Sequence, residues 1–146
     1  MRKKQLGMNG PEVSVVCFGT FPIGGGFGSV PKTQAIKTVH AALDAGIDFI
    51  DTAKSNAQGA KDNPGGTAET IIGNWLSETS VPRDDLIIAT RVRGQMGTEP
   101  NNQGLSKSHI MKAVEDSLRR LQIDTIDLYQ THWPDEDIGI DETLSA

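Results

Sequence analysis

Two rhythms of apolar and polar positions alternate along this chain. Asn9-Gly10 is a strong two-residue turn signal, because both positions accept positive φ, and Val13, Val15, Val16 and Phe18 follow it as a short apolar run. Residues 3–18 therefore read as a hairpin running into a strand. Gly24, Gly25, Gly26 and Gly28 mark a loop. Pro31 opens a helical pattern with Ile36, Val39 and Leu43 on one face, and Gly46 is placed to stop it. Residues 49–53 form a second strand, apolar until its end. A polar loop reaches Gly66, after which Ala68, Ile71, Ile72 and Trp75 recur at helical spacing. Residues 86–92 read as a third strand, followed by a long loop from Gly94 to Gly104. Ser106 suits the N-cap of a helix whose core face is Ile110, Val114, Leu118 and Leu121. Arg119 and Arg120 lie in its last turn, at the negative end of the helix dipole. Residues 126–133 are a fourth strand, and a further helix begins at Asp141.

Strands alternating with helices imply parallel βαβ units. The pattern is α/β: four parallel strands, three whole helices and an N-terminal β-hairpin, read as a single domain over residues 1–146. Two topologies fit. An open doubly wound sheet is one, although its dinucleotide-binding turn is missing, since Gly24 and Gly26 lack a third glycine at the G-x-G-x-x-G spacing. The other is half of a (β/α)8 TIM barrel. Loops after the strands are long and polar and those before them short, which suits a barrel whose βα loops build one functional face.

Three strands carry polar residues to that face: Asp51-Thr52, Thr90-Arg91 and Thr131-His132. A charge at the end of an apolar strand is costly unless paired. Asp51 and Arg91 can pair across neighbouring strands, either as a plug at the barrel end or as part of a site. His132 is equally open to a packed or a catalytic role, whereas His40 and His109 fall on helices as surface residues.

Composition narrows the function classes. A net charge of -5 with no basic stripe argues against nucleic acid. The single cysteine, Cys17, excludes an intrachain disulfide and fits a reducing cytoplasm, and its place in an apolar run predicts a buried thiol. No stretch approaches the ~18 apolar residues of a membrane span. The acidic loop from Pro134 to Glu142 matches no calcium-binding spacing, so no metal site is assigned.

Several stretches together carry a family resemblance. Leu6-Gly7, Val13-Ser14 and Phe18-Gly19-Thr20 open it, and residues 42–53 (ALDAGIDFIDTA) are its most specific part. Ala68-Glu69 with Ile72-Gly73, then Ser117-Leu118-Arg119-Arg120-Leu121, then Ile126-Asp127-Leu128-Tyr129-Gln130 continue in order. The chain resembles the N-terminal half of the aldo/keto reductase family. The resemblance implies a (β/α)8 barrel that reduces a small aldehyde or ketone with NADPH. Its catalytic set is an aspartate, a tyrosine, a lysine and a histidine. In that set the tyrosine protonates the carbonyl oxygen while an ammonium held by the aspartate stabilises the phenolate.

Carried across by residue, Asp51 fits the aspartate and His132 the histidine, while Thr20 and Asp51 are expected at the nicotinamide. The tyrosine position, five residues after Asp51, holds Asn56, and the lysine position holds Arg91. Asn cannot release a proton at a useful pH, and the planar Arg fork does not replace an ammonium. A barrel of this type takes roughly 250 residues. The chain is therefore expected to be impaired or inactive alone, to bind NADPH weakly, and to associate as a homodimer or aggregate through open barrel edges. The alternatives are a non-enzymatic half-barrel for assembly or partner binding, and a truncated product of a longer reductase gene.

Overall fold

The structure is a computed structural model that describes residues 1–55, 65–96 and 102–146. It begins with an antiparallel hairpin of β1 (Lys3–Gln5) and β2 (Glu12–Ser14). The connection is longer than the two-residue turn expected at Asn9-Gly10. It is closed by the Leu6 N–H donating to the Pro11 carbonyl at 2.9 Å, and positive φ falls on Gly7, at 70°. Gly10 matters for space instead, because a Cβ there would lie 2.1 Å from the Leu6 carbonyl oxygen.

The apolar run does not continue as one strand. The Ser14 hydroxyl donates to the Val16 carbonyl at 2.7 Å, and the Ser14 N–H donates to Asp48 at 2.8 Å. That local bonding turns the chain out of the hairpin and leaves Val15, Val16 and Cys17 exposed. Cys17 is thus not the buried thiol expected. The chain re-enters a sheet at β3 (Phe18–Gly19).

β3, β4 (Phe49–Asp51), β5 (Ile87–Val92) and β6 (Leu128–Thr131) form a parallel sheet in sequential order. Sequential order removes the doubly wound alternative, in which the strand order reverses at a switch point. It is the arrangement of one half of a (β/α)8 barrel. Crossovers run through α1 (Lys32–Asp44), α2 (Thr67–Glu78) and α3 (Lys107–Leu121), and α4 (Ile140–Leu144) follows β6.

The helices take their places for local reasons. Pro31 caps α1, and Gly46, with φ of 83°, follows its end as expected. Ser106 caps α3 by accepting from the His109 N–H at 3.4 Å. The buried stripe of α3 is rotated from the expected one: His109, Ile110, Ala113, Ser117 and Leu121 face inward, while Val114 and Leu118 are half-buried. Small residues win because α2 and α3 approach closely. A Cβ on Gly73 would lie 2.1 Å from the Arg120 carbonyl oxygen. The same rotation buries His109, which the sequence had placed on the surface; His40 is exposed and accepts the Trp75 indole N–H at 3.0 Å.

Alternation along the strands gives the sheet two unlike faces. Ile50, Ile88, Thr90 and Val92 are buried against the helix layer. Ile50 and Ile88 join Val39, Ile72, Trp75, Leu86 and Leu121 in the main core, and Val92 packs with Leu105, Ile110 and Ala113 in a second cluster. Phe49, Asp51, Ile87, Arg91, Leu128 and Gln130 alternate with these and are half-buried. Among the described residues, no helix is long and apolar enough to cross a membrane.

Candidate active site

The strand register brings three of the singled-out residues together at the C-terminal end of the sheet. Asp51 ends β4, Arg91 lies on β5 opposite Gln130, and His132 follows β6 directly. Period-two alternation puts Asp51, Arg91 and Gln130 on the face away from the helices. There the Arg91 guanidinium donates to Asp51 Oδ2 in an ion pair, and Gln130 Nε2 donates to Asp51 Oδ1 at 3.4 Å. Both oxygens of the carboxylate are therefore engaged. The pairing foreseen between Asp51 and Arg91 is present, and both side chains keep some exposure, at 15% and 25%.

His132 lies beside this pair. Its Nδ1 is 3.4 Å from the Ser55 hydroxyl, and its ring packs on Trp133 with centroids 4.5 Å apart. Trp133 in turn carries the Arg93 guanidinium 5.0 Å above its ring, a cation–π contact. Burial, and then the nearby Arg91 charge, push the His132 pKa below its ordinary value, with Asp51 opposing. The imidazole is accordingly neutral at pH 7, able to donate from one nitrogen and accept at the other.

Thr20 follows β3 and is fully buried, with its backbone N–H donating to the Asp51 carbonyl at 3.0 Å. Asn56 lies outside the described residues. Thr20 is enclosed and the Asp51 carboxylate is engaged by Arg91 and Gln130, so in this arrangement neither side chain presents a free group to a dinucleotide.

Behind the sheet is a second polar group that sequence reasoning missed. Glu69 on α2 is fully buried; it accepts from the Thr90 hydroxyl at 2.5 Å and from Arg120 Nε at 2.6 Å. Lys54, 1% exposed, places Nζ 2.6 Å from His109 Nε2. Burial lowers the Lys54 pKa to about 8, with the Arg120 charge contributing. Burial also raises the Tyr129 pKa; its enclosed hydroxyl has no hydrogen-bond partner among the described residues. The signal for this layer was faint. Glu69 and Arg120 sat in quoted motifs, but nothing in the spacing says that residues 51 apart meet.

Comparison with known proteins gives a consistent picture. The model of the aldo/keto reductase family matches residues 15–146. The chain is 37% identical over its whole length to the aldo-keto reductase YhdN of Bacillus subtilis, covering 42% of that protein. It is 41% identical over 133 residues to a 6-dehydroglucose reductase of Novosphingobium aromaticivorans, covering 41% of it. Among solved structures, the holo form of an aldo-keto reductase from Bacillus halodurans superposes with a TM-score of 0.79 at 37% identity. That match takes in 99% of this chain and 44% of the other. The chain thus spans less than half the length of these relatives.

Proposed function

Because the chain belongs to the aldo/keto reductase family, we propose that it carries that family's carbonyl-reducing architecture in a form not competent as these 146 residues alone. The observation that carries this reading is the Asp51–Arg91 ion pair beside His132. The aspartate, the cation and the histidine stand together, so the site has the layout needed to orient a carbonyl group. His132 would direct the carbonyl oxygen, and Asp51 would fix the neighbouring cation. The cation is a guanidinium, whose charge is spread over a planar fork and cannot act as a compact ammonium beside a phenol. In the sequence, Asn56 falls at the position where the resemblance puts the acid, and an amide has no proton to release at a useful pH. The described residues supply four parallel strands where a closed barrel has eight, and Thr20 and Asp51 leave little open to a dinucleotide. NADPH binding should accordingly be weaker than about 100 μM, near -5.5 kcal/mol.

The test is NADPH-dependent reduction of a small aldehyde by the chain and by Asn56→Tyr with Arg91→Lys. General acid catalysis is typically worth about 10²- to 10⁴-fold. The double variant alone should nevertheless stay at background, because a hydride donor that is not held cannot be positioned. A clear gain should appear when the C-terminal half-barrel of a full-length relative is added in trans. A large gain by the double variant alone would sink the reading.

One observation favours assembly as a second reading. Within the described sheet β3 and β6 each pair on one side, and open parallel edges invite further strands. A two-fold dimer joining β6 of one copy to β3 of the other would give eight strands. Sedimentation equilibrium at micromolar concentration should show a dimer or larger species; a clean monomer would exclude it.

A further inference from the structure

Lys54 is an anomaly in the layer between sheet and helices. It is 1% exposed, and among the described residues the one hydrogen-bond partner of its amine is the imidazole of His109. The carboxylates nearby are committed elsewhere. Glu69 holds Thr90 and Arg120, while Asp116 holds Lys112 at 2.8 Å and Arg119 at 2.7 Å. Three cations thus share two carboxylates before Lys54 is considered. A buried ammonium without its own carboxylate is costly. Two changes relieve that cost: loss of the proton, or gain of a negative charge.

The surroundings allow both in sequence. A cavity of about 40 Å³ opens beside the amine, lined by Lys54, His109, Lys112, Asp116 and Arg120. That exceeds the ~10–15 Å³ one water requires, so a small linear molecule is accommodated.

We propose that Lys54 is a carbamylation site, at which the neutral amine adds carbon dioxide and the resulting carbamate is held in this cavity by His109, Lys112 and Arg120. The nitrogen lone pair forms the new N–C bond, and one C=O π pair moves onto oxygen. The proton displaced from nitrogen leaves to solvent, and no oxidation state changes. The product is a third anion for the three cations of the cluster. The depressed basicity of the Lys54 amine keeps a reactive neutral fraction near neutral pH, which an ordinary lysine lacks. Carbon dioxide is the ligand selected by size, because a longer aldehyde or an acyl donor would not fit beside a side chain this enclosed.

The experiment uses the whole chain. It is equilibrated with ¹³C-labelled bicarbonate and carbon dioxide at about pH 8, close to the pKa of this amine. The carbamate is then trapped as its ethyl ester with triethyloxonium and located by peptide mass mapping. Label should concentrate on Lys54, saturate as carbon dioxide rises, and exceed the label on exposed Lys4 at least tenfold. Lys54→Arg, which lies outside the Asp51–Arg91–His132 group, should abolish the saturable label. Mapping the unmodified sequence needs no variant, so a misfolded Lys54→Arg protein leaves the test intact. Label on Lys54 no greater than on Lys4, at any carbon dioxide pressure, overturns the proposal.

Discussion

Thr90 and Arg91 are neighbours on β5, yet they serve two different arginine–carboxylate pairs on opposite faces of the sheet. Arg91 reaches Asp51 on the open face, where both partners keep some contact with solvent. Thr90 points into the helix layer and shares Glu69 with Arg120; there the carboxylate is fully enclosed and each of its oxygens accepts from one donor. Chemically the pairs are alike. Their surroundings decide what each can do. The enclosed carboxylate links three elements, so it fastens α2 to α3 and β5. The open pair can exchange partners with an incoming polar group, which is the property a site needs and a brace does not.

The contrast is open to direct test. Removing one member of an enclosed pair typically costs about 3–5 kcal/mol, because the survivor is left buried and uncompensated. Glu69→Ala should therefore lose about that much in urea-induced unfolding. Asp51→Asn should lose no more than about 1 kcal/mol, the range for solvent-accessible pairs. Equal losses would erase the distinction.

The helix layer should also announce itself in pH dependence. Lys54 titrates near 8 when folded, against 10.5 in the open chain. Below pH 8 both states hold the proton and the penalty for burying it is fully present. Between 8 and 10.5 the unfolded chain alone holds it, so stability should rise with pH, by at most about 3 kcal/mol. Lys54→Met should flatten that rise in buffer purged of carbon dioxide. A profile that falls across this window would contradict the burial of a lone amine.

The smallest effect belongs to the open face. His132 should titrate below 6.5 by NMR, and Arg91→Gln should move its midpoint upward while burial keeps it below the ordinary value. An unchanged midpoint would mean that Arg91 does not act on it.

Much of the fold was legible because it rests on local rules. Pro31, Gly46 and Ser106 mark helix ends by what their own backbones and side chains can do. The parallel strands stand out as short apolar runs separated by helical periods. Periodicity alone failed in two places. Val15 and Val16 look like strand residues, but the Ser14 hydroxyl diverts the chain before them. On α3 the larger apolar side chains suggested the wrong stripe; a close helix neighbour selects small residues at the contact, and nothing local announces that neighbour. The site divides the same way. Asp51, Arg91 and His132 were conspicuous as polar or charged residues at the ends of apolar strands. Lys54 looked like an ordinary loop lysine because its burial comes from α3, more than fifty residues away.

Gly73 ties several of these elements into one variable. The carbonyl of Arg120 occupies the place a side chain on Gly73 would need, and the guanidinium of that same Arg120 holds Glu69. A single methyl at Gly73 would act as a wedge driven at the hinge of this clasp, since backbone cannot yield as a flexible side chain does. Prising α3 away would withdraw Arg120 from Glu69, release the Thr90 hydroxyl, and carry His109 off the Lys54 amine. The spacing of two helices, the seal behind β5 and the enclosure of a lone amine are therefore set by the absence of one carbon atom.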